Sequence, residues 1–439
     1  MRKLILILSI LLATAGENIF PQQEDIWTLE KCIEHAFDKN ITIRKSELTN
    51  QRYDLYAGQA KAQRFPSLSA SVNQNFNWAK STASPETGLT GSNNTGYSVS
   101  SGVTIFNGSR LTNQIKQTEL DIESGKYSLE TTKESISLSI LNAYLQILYA
   151  EEQVKNSERQ IEATTEQLRL AGERLLLRGI SQADYAQVKS QLAGEKLTLA
   201  NSKSQLAIAK VNLMQLMELP VTDYFEISHP DLSESLNQNR APDVKVVYEA
   251  ALAIKPQVKN AAVNKEIASL DEKIAKAGYY PVLSASAGIG SNYLSMGTDS
   301  YFSQINDGIS PSAGLSLSIP IYQKNQVKTN VAVAKIGYQD AELTEFNTMN
   351  ELRKNIEQTC LDVTSAQIEY EASLESYNAT LESSMLSEEK FRQGMINSVD
   401  YLVSKTNLIV AESQLLQSKF NLIFSYKVLD FYSGIPITL

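Results

Sequence analysis

The sequence predicts a mainly α-helical protein with a small β part, written as a tandem duplication, whose four strands per chain join those of other copies in a transmembrane barrel. Three observations predict this. A short motif returns 215 residues after its first appearance, long proline-free stretches carry apolar residues at steps of seven, and four segments alternate apolar with small polar residues. The 439 residues are 42% apolar and 20% charged with a formal charge of -9, too apolar for a disordered chain and without a basic footprint for nucleic acid. Cys32 and Cys360 are single, distant thiols, and only His35 and His229 supply imidazole, so neither a disulfide framework nor a metal site is expected.

The first element is a signal peptide over residues 1–15. Arg2 and Lys3 precede an apolar run from Leu4 to Leu12, and Ala13-Thr14-Ala15 supplies the small-x-small pattern of a cleavage site. The cleavage region has no cysteine, which disfavours a lipid anchor. No later apolar run is long enough for a helical membrane span, so the chain is either soluble or enters a membrane as strands.

The two repeats are expected at 16–230 and 231–439, with a proline-bearing connection at 219–245. Pro66-Ser67-Leu68-Ser69-Ala70-Ser71 is answered by Pro281-Val282-Leu283-Ser284-Ala285-Ser286, and at the same offset Ala36 falls on Ala251 and Gly179 on Gly394. After one inserted residue, Asp184-Tyr185 falls on Asp400-Tyr401 and Pro220 on Pro436. Each repeat reads as helix, strand, loop, strand, very long helix, tight turn, helix. The first has helices near 29–64, 109–177 and 182–218, and the second has a long helix near 323–393 and a helix near 397–433. Ile115, Ile122, Leu129, Ile136 and Ala143 step by seven, overlapped by Ile140, Ile147, Val154, Ile161, Leu168 and Leu175, which is a coiled-coil period. After the turn, Tyr185, Leu192, Leu199, Leu206 and Leu213 correspond one to one with Tyr401, Leu408, Leu415, Leu422 and Leu429. A helix of about 70 residues spans ~105 Å, so two shorter helices end to end would match one long one, and the connection would form a belt halfway along.

Strands are expected near 67–79, 96–106, 282–294 and 312–322. Leu68, Ala70, Val72, Phe76 and Trp78 point one way, against Ser69, Ser71, Asn73, Asn75 and Asn77. Strands of this kind suit a membrane barrel. Aromatic residues cluster at their ends, with Phe76, Trp78, Tyr97 and Tyr293 as an outer girdle and Phe65, Phe106, Tyr279, Tyr280 and Tyr322 nearer the helices. The loops 80–95 and 295–310 are polar and expected to face solvent. Four strands cannot close in lipid, where unpaired edges cost several kcal/mol per group, and an interior of Ser and Asn suits twelve strands better than eight. A homotrimer follows.

These features together resemble the TolC-type outer membrane efflux proteins, over essentially all of residues 26–436. The carrying marks are Ala251-Leu252 with Lys255-Pro256, the Pro66-Ser67-Leu68 and Pro281-Val282-Leu283 motifs, and two helix turns. The turns run from Arg174 through Arg178, Gly179 and Ser181 to Asp184-Tyr185, and from Glu389 through Phe391, Arg392, Gly394 and Ser398 to Asp400-Tyr401. Gly179 and Gly394 suit C-caps of the long helices, and Ser181 and Ser398 suit N-caps of the next. The resemblance implies a trimeric duct, a 12-stranded barrel in the outer membrane continuous with a periplasmic helical barrel. It further implies docking of the turns on a periplasmic adaptor (membrane fusion) protein, an inner-membrane pump driven by protons or ATP (RND or ABC type), no cofactor and no catalysis.

By the same resemblance Asp184, Asp400 and Phe391 are candidate gate residues, and Arg178, Gly179, Ser181, Arg392, Gly394 and Ser398 candidate docking residues. The family's latch tyrosine and arginine fall on Phe391 and Ile396, and a further acidic position on Val403, which predicts a tip held more by apolar packing than by polar bonds. Arg178 and Arg392 are adaptor contacts, tip ion pairs or solvated surface charges. No phosphate loop, nucleophile elbow or metal-spaced set argues for an enzyme, and Met214 and Met217 read as packing. The expected function is export of small toxic compounds. The alternatives are the outer membrane duct of a type I polypeptide secretion system and, from another class, a soluble periplasmic coiled-coil protein.

Overall fold

The computed structural model describes residues 26–80, 89–220, 225–232 and 243–439. The expected signal peptide, the centre of the first loop and parts of the connection, Pro242 included, lie outside the described residues. Two compact units are present. One comprises the described residues up to Arg44, within Thr132–Ile254 and in Leu352–Leu439, and the other those within Lys45–Thr131 and Lys255–Glu351.

The chain opens with α1 (Leu29–Lys39) and α2 (Ile41–Ala62), where a single helix over 29–64 was expected. The break is made by Asn40, whose side-chain oxygen accepts from Thr42 N at 2.9 Å while its amide donates to the Leu216 carbonyl at 2.8 Å. The second repeat breaks at the matching place, between α5 (Val244–Ile254) and α6 (Pro256–Lys276), where Lys255 stands 215 residues after Asn40 and proline opens the helix. Asn40 (φ -59, ψ 127) and Lys255 (φ -66, ψ 123) share one backbone conformation. Side-chain capping does in the first repeat what proline does in the second.

The long helices are α3 (Arg110–Leu176) and α8 (Gln326–Arg392), each of 67 residues, and each is followed by a 35-residue helix, α4 (Gln182–Leu216) and α9 (Ser398–Tyr432). Ile140 and Ile147 of the heptad stripe are fully buried, as are Ile356 and Val363, seven residues apart on α8, and Leu213 and, nearly, Leu422. In the first unit the core gathers Leu29, Cys32, Leu141, Tyr144, Met214, Met217 and Phe225. Residues 225–232 of the connection lie against it, with Trp27 N donating to Glu226 O at 3.0 Å and Ser228 N to Trp27 O at 2.9 Å. Tyr144, fully buried near the middle of α3, sets its hydroxyl 2.7 Å from the Ser228 carbonyl and 3.1 Å from that of Trp27. Burial pushes its pKa up to about 12, so it remains a neutral donor.

The second unit holds one antiparallel sheet in the order β1 (Ser67–Ala79), β2 (Thr90–Phe106), β3 (Val282–Leu294), β4 (Ser310–Ser318). The β2–β3 pairing joins the two repeats. Register divides the sheet into two faces. Val72, Tyr97 and Ser291 lie side by side, as do Ala70, Val99, Ile289 and Pro311, and this face also carries Leu68, Leu283, Leu315 and Leu317. The other face is Ser71, Ser98, Gly290 and Ser310, then Ser69, Ser100, Gly288 and Ser312, with Ser69 and Ser100 hydroxyls 2.9 Å apart and Ser71 and Ser98 2.8 Å apart.

Several expected boundaries need correction. β2 starts at Thr90 rather than 96, because Gln74 bonds Asn93 (2.7 Å) and Thr95 (2.5 Å) across the hairpin and carries the pairing through polar residues. β4 spans Ser310–Ser318 rather than 312–322, ending before Pro320, so Ile321 and Tyr322 are off the sheet. A bulge between Thr104 and Phe106 takes Ile105 out of register and sets Phe106 beside Leu283. The second loop, expected to be solvent-facing coil, contains a helix, α7 (Tyr301–Asp307). Among the described residues no helix is long and apolar enough to cross a membrane.

Candidate gate and docking turns

Each long helix ends in a turn whose hydrogen bonds define its residues. After α3, Arg178 N donates to Leu175 O at 3.0 Å and Gly179 N reaches back to Arg174 O at 2.7 Å; after α8, Gly394 N donates to Phe391 O at 3.1 Å and Met395 N to Lys390 O at 2.9 Å. The left-handed residue that this pattern requires is Arg178 (φ 61) in the first turn and Gly394 (φ 74) in the second. Arg178, not Gly179, is therefore the counterpart of Gly394, and the offset of 216 already holds at the turn. This corrects the expected pairing of the two glycines.

The N-caps shift in the same way. Ser181 caps α4, its hydroxyl accepting from Asp184 N at 3.1 Å while the Asp184 carboxylate accepts from Ser181 N at 3.2 Å and Ser181 Oγ at 2.6 Å. In the second turn the cap is Asn397 rather than Ser398, with Asp400 N donating to Asn397 Oδ1 at 2.8 Å and Asn397 Nδ2 to Asp400 Oδ2 at 3.0 Å. Ser398 is the first residue of α9, and its hydroxyl donates across the tip to Asp184.

Asp184 thus ties the two turns together. The hydroxyls of Ser181 and then Ser398, followed by the Ser181 N–H, hold its carboxyl below the usual carboxylate range. The expectation that apolar packing would dominate is corrected to the extent that the turns are bound by charge-assisted hydrogen bonds. Packing contributes beside them, since Phe391 stacks on Tyr401 with centroids 4.9 Å apart and planes 10° from parallel. Burial raises the Tyr401 pKa, and Glu388 adds to it.

The arginines divide. Arg392 pairs with Glu388 at 2.7 Å one turn back, and Arg174 donates to the Arg392 carbonyl at 3.5 Å, whereas Arg178 is an exposed side chain on a left-handed backbone. Gly179 is exposed beside it. Behind the turns lies a cavity of about 380 Å³ bounded by α3, α4, α8 and α9, with Gln167, Val188, Glu388, Tyr401 and Glu412 in its wall.

Two features were missed from the sequence. Leu176, Leu177 and Met395 are 86%, 83% and 67% exposed, an apolar rim on the turns; the run Leu175-Leu176-Leu177, which exceeds what one heptad stripe can bury, is the signal for it. The other is a buried ion pair. Lys405 of α9 lies 3.5 Å from Glu195 of α4, with side chains 12% and 5% exposed, and also donates to Thr164 of α3. Glu195 Oε1 accepts from Gln191 at 2.9 Å, while Oε2 has no partner among the described residues.

The girdle candidates lie in the other unit. Phe76 and Trp78 stack at 6.3 Å and are more than half exposed, Tyr293 packs on Tyr301 at 4.7 Å, and the Tyr97 and Tyr301 hydroxyls are 2.5 Å apart. Phe106 ends β2, and Tyr322 lies beyond β4 and is 79% exposed.

The model of one protein family, described as Outer membrane efflux protein, matches residues 32–218 and again 247–434. No curated protein matches the sequence significantly. Among solved structures, CusC, studied for its folding and transmembrane channel formation, superposes with a TM-score of 0.80 at 14% identity, covering 93% of this chain and 92% of that chain. The Campylobacter jejuni CmeC outer membrane channel gives 0.77 at 14% identity, covering 95% and 88%. The open state of the Neisseria gonorrhoeae MtrE outer membrane channel gives 0.74 at 16% identity, covering 94% and 90%. At these identities the likeness establishes the fold.

Proposed function

Because the chain belongs to the outer membrane efflux protein family, we propose that three copies form the outer membrane duct of a tripartite export system. The duct passively conducts small toxic compounds delivered by an inner-membrane pump through a periplasmic adaptor. The family makes this an outer membrane channel protein; the trimer, the partners and the cargo class are the proposal.

The observation that carries it is the sheet. Among the described residues β1 and β4 are each paired on one side only, while Leu68 (77% exposed), Val72 (64%) and Leu315 (74%) crowd one face and Ser, Gly and Asn line the other. Open edges are costly in lipid and an exposed apolar face is costly in water; closure by two further copies pairs the edges, and lipid covers the face. Exposed heptad partners on the helices, Leu48 with Leu55 and Leu361 with Ile368, give further apolar surface for neighbouring copies. Within the duct, Asp184, Asp400 and Phe391 act at the gate. The turn residues Arg178, Gly179, Ser181, Arg392, Gly394 and Ser398, with the apolar rim of Leu176, Leu177 and Met395, meet the adaptor. Ser398 and Asp184 form the clasp that docking would release.

Imaging of detergent-purified protein tests this. Three-fold particles that conduct ions in a planar bilayer are expected, with conductance rising for Asp184→Ala as the clasp is lost. Monomeric or two-fold particles, or a non-conducting trimer in every variant, would overturn it.

A further inference from the structure

Helix α7 follows β3 through a short turn and is folded back onto the sheet. Ser300 caps it, accepting from Ser303 N at 3.4 Å. Ser291 Oγ donates to the Ile305 carbonyl at 2.6 Å, and the Gln304 side chain brackets Leu294, accepting from its N–H at 2.9 Å and donating to its carbonyl at 3.2 Å. Tyr301 is held from two sides, by the Tyr97 hydroxyl at 2.5 Å and by the Tyr293 ring at 4.7 Å. These are specific anchors, so α7 is a fixed element of the sheet end.

Register says which face it occupies. Tyr97 pairs with Ser291 and Thr95 with Tyr293, and alternation sets all four on the face that carries Val99, Ile289 and Leu315. The contacts of α7 are thus on the apolar face, away from the Ser and Gly side. Its height follows from strand geometry. Tyr97 stands nine residues from Phe106, about 30 Å along the strand at ~3.3 Å per residue. A barrel tilt of ~40° reduces this to ~23 Å, close to the ~25 Å apolar band of such barrels. Here α7 presents Phe302, 81% exposed and edge-on to Tyr301 at 5.5 Å, with exposed Met296 and Ile309 in the segments that flank the helix.

We propose that α7 lies in the outer lipid interface as a fixed aromatic collar, with Phe302 entering the acyl boundary and the Tyr97 and Tyr301 hydroxyls at headgroup level. The occupant is lipid because α7 is anchored on the same sheet face that carries exposed Leu68, Val72, Ile289 and Leu315. A short segment with aromatics on one side and Ser303, Asn306 and Asp307 on the other is what an interface accepts. The inference rests on the membrane-barrel reading.

The test uses the full chain reconstituted in phosphatidylcholine–phosphatidylglycerol vesicles, with a nitrobenzoxadiazole label on single introduced thiols. Cys32 and Cys360 are buried, and unsubstituted protein gives their background. Labels are placed at Phe302→Cys, at Leu315→Cys on the sheet face and at Asp299→Cys in the preceding turn. A nitroxide near the lipid headgroup is expected to quench Phe302→Cys, a nitroxide deep in the chains to quench Leu315→Cys, and aqueous iodide to quench Asp299→Cys. Adding Tyr301→Phe, which removes the bond to Tyr97, is expected to raise iodide access at position 302. Quenching of Phe302→Cys by iodide alone, or by neither agent, overturns the collar while Leu315→Cys stays lipid-exposed. Loss of lipid quenching at Leu315→Cys as well overturns the barrel itself.

Discussion

The turns after α3 and α8 share one backbone but few residues. Arg178 stands where Gly394 stands and Ser181 where Asn397 stands, while Ile180 coincides with Ile396 and Asp184-Tyr185 with Asp400-Tyr401. What duplication preserved is the hydrogen-bond pattern that ends one helix and starts the next. The side chains that satisfy it were free to change within the small set able to do so. The difference also has a direction. A left-handed backbone costs an ordinary residue about 1–2 kcal/mol and costs glycine almost nothing, so the first turn is the strained one. It is also the one whose aspartate reaches across the tip.

The sharpest break in the symmetry is Lys405. Its counterpart 216 residues earlier is Lys189, an exposed side chain, and the counterpart of Glu195 is Ala411. Lys405→Met leaves Glu195 buried without its charge partner and is expected to destabilise by about 3–5 kcal/mol, while Lys189→Met stays within about 0.5 kcal/mol. Thermal unfolding of the helical circular-dichroism signal in detergent reads both, and equal effects would erase the asymmetry.

Next in size are the left-handed residues. Gly394→Ala is expected to cost about 1–2 kcal/mol, whereas Arg178→Gly costs nothing or stabilises by up to about 1 kcal/mol. Opposite signs in the same unfolding assay support the assignment, and a destabilising Arg178→Gly would show that the side chain outweighs its strained backbone.

The caps follow, at about 1 kcal/mol for Ser181→Ala and for Asn397→Ala. The two should differ in conductance rather than in stability, since only Ser181 belongs to the Asp184 cluster. Single-channel recording that finds Ser181→Ala unchanged would remove the Asp184 cluster from the gate.

The smallest effect is in pH. The folded pKa of Asp184 is depressed, so its contribution is present above the ordinary carboxylate value and is lost as pH falls through the depressed one. Acidification is expected to loosen the tip, with more frequent openings in the unsubstituted protein and no such component in Asp184→Asn.

Much of this was written in the chain. The 215-residue echo, the heptad stripes and the alternation at Leu68–Trp78 depend only on local periodicity, which sequence displays directly. What escaped depends on partners distant in sequence. Nothing near Asn40 announces a helix break, because its amide is satisfied by Leu216. Gly179 looks like the natural cap, yet the Arg174 carbonyl selects its neighbour for the left-handed position. Ion pairing of Lys405 with Glu195 joins helices about 210 residues apart, and no spacing rule connects them. Helix α7 was hidden by its seven-residue length and by flanking Gly, Ser and Asp residues that suit a loop as well as a short capped helix.

The β2–β3 ladder pairs Val99 with Ile289, residues about 190 apart, by the same antiparallel scheme that pairs neighbours within each hairpin. The hairpins are cheap in chain entropy and the seam between them is expensive, so the seam is the joint at which the molecule can be divided and rejoined. Two half-length polypeptides supplied together are expected to zip along that line and yield functional pores, with bilayer recordings from the co-expressed halves as the readout. Such a dimer of halves is what a shorter ancestor, assembled six to a ring, would have looked like before its gene fused.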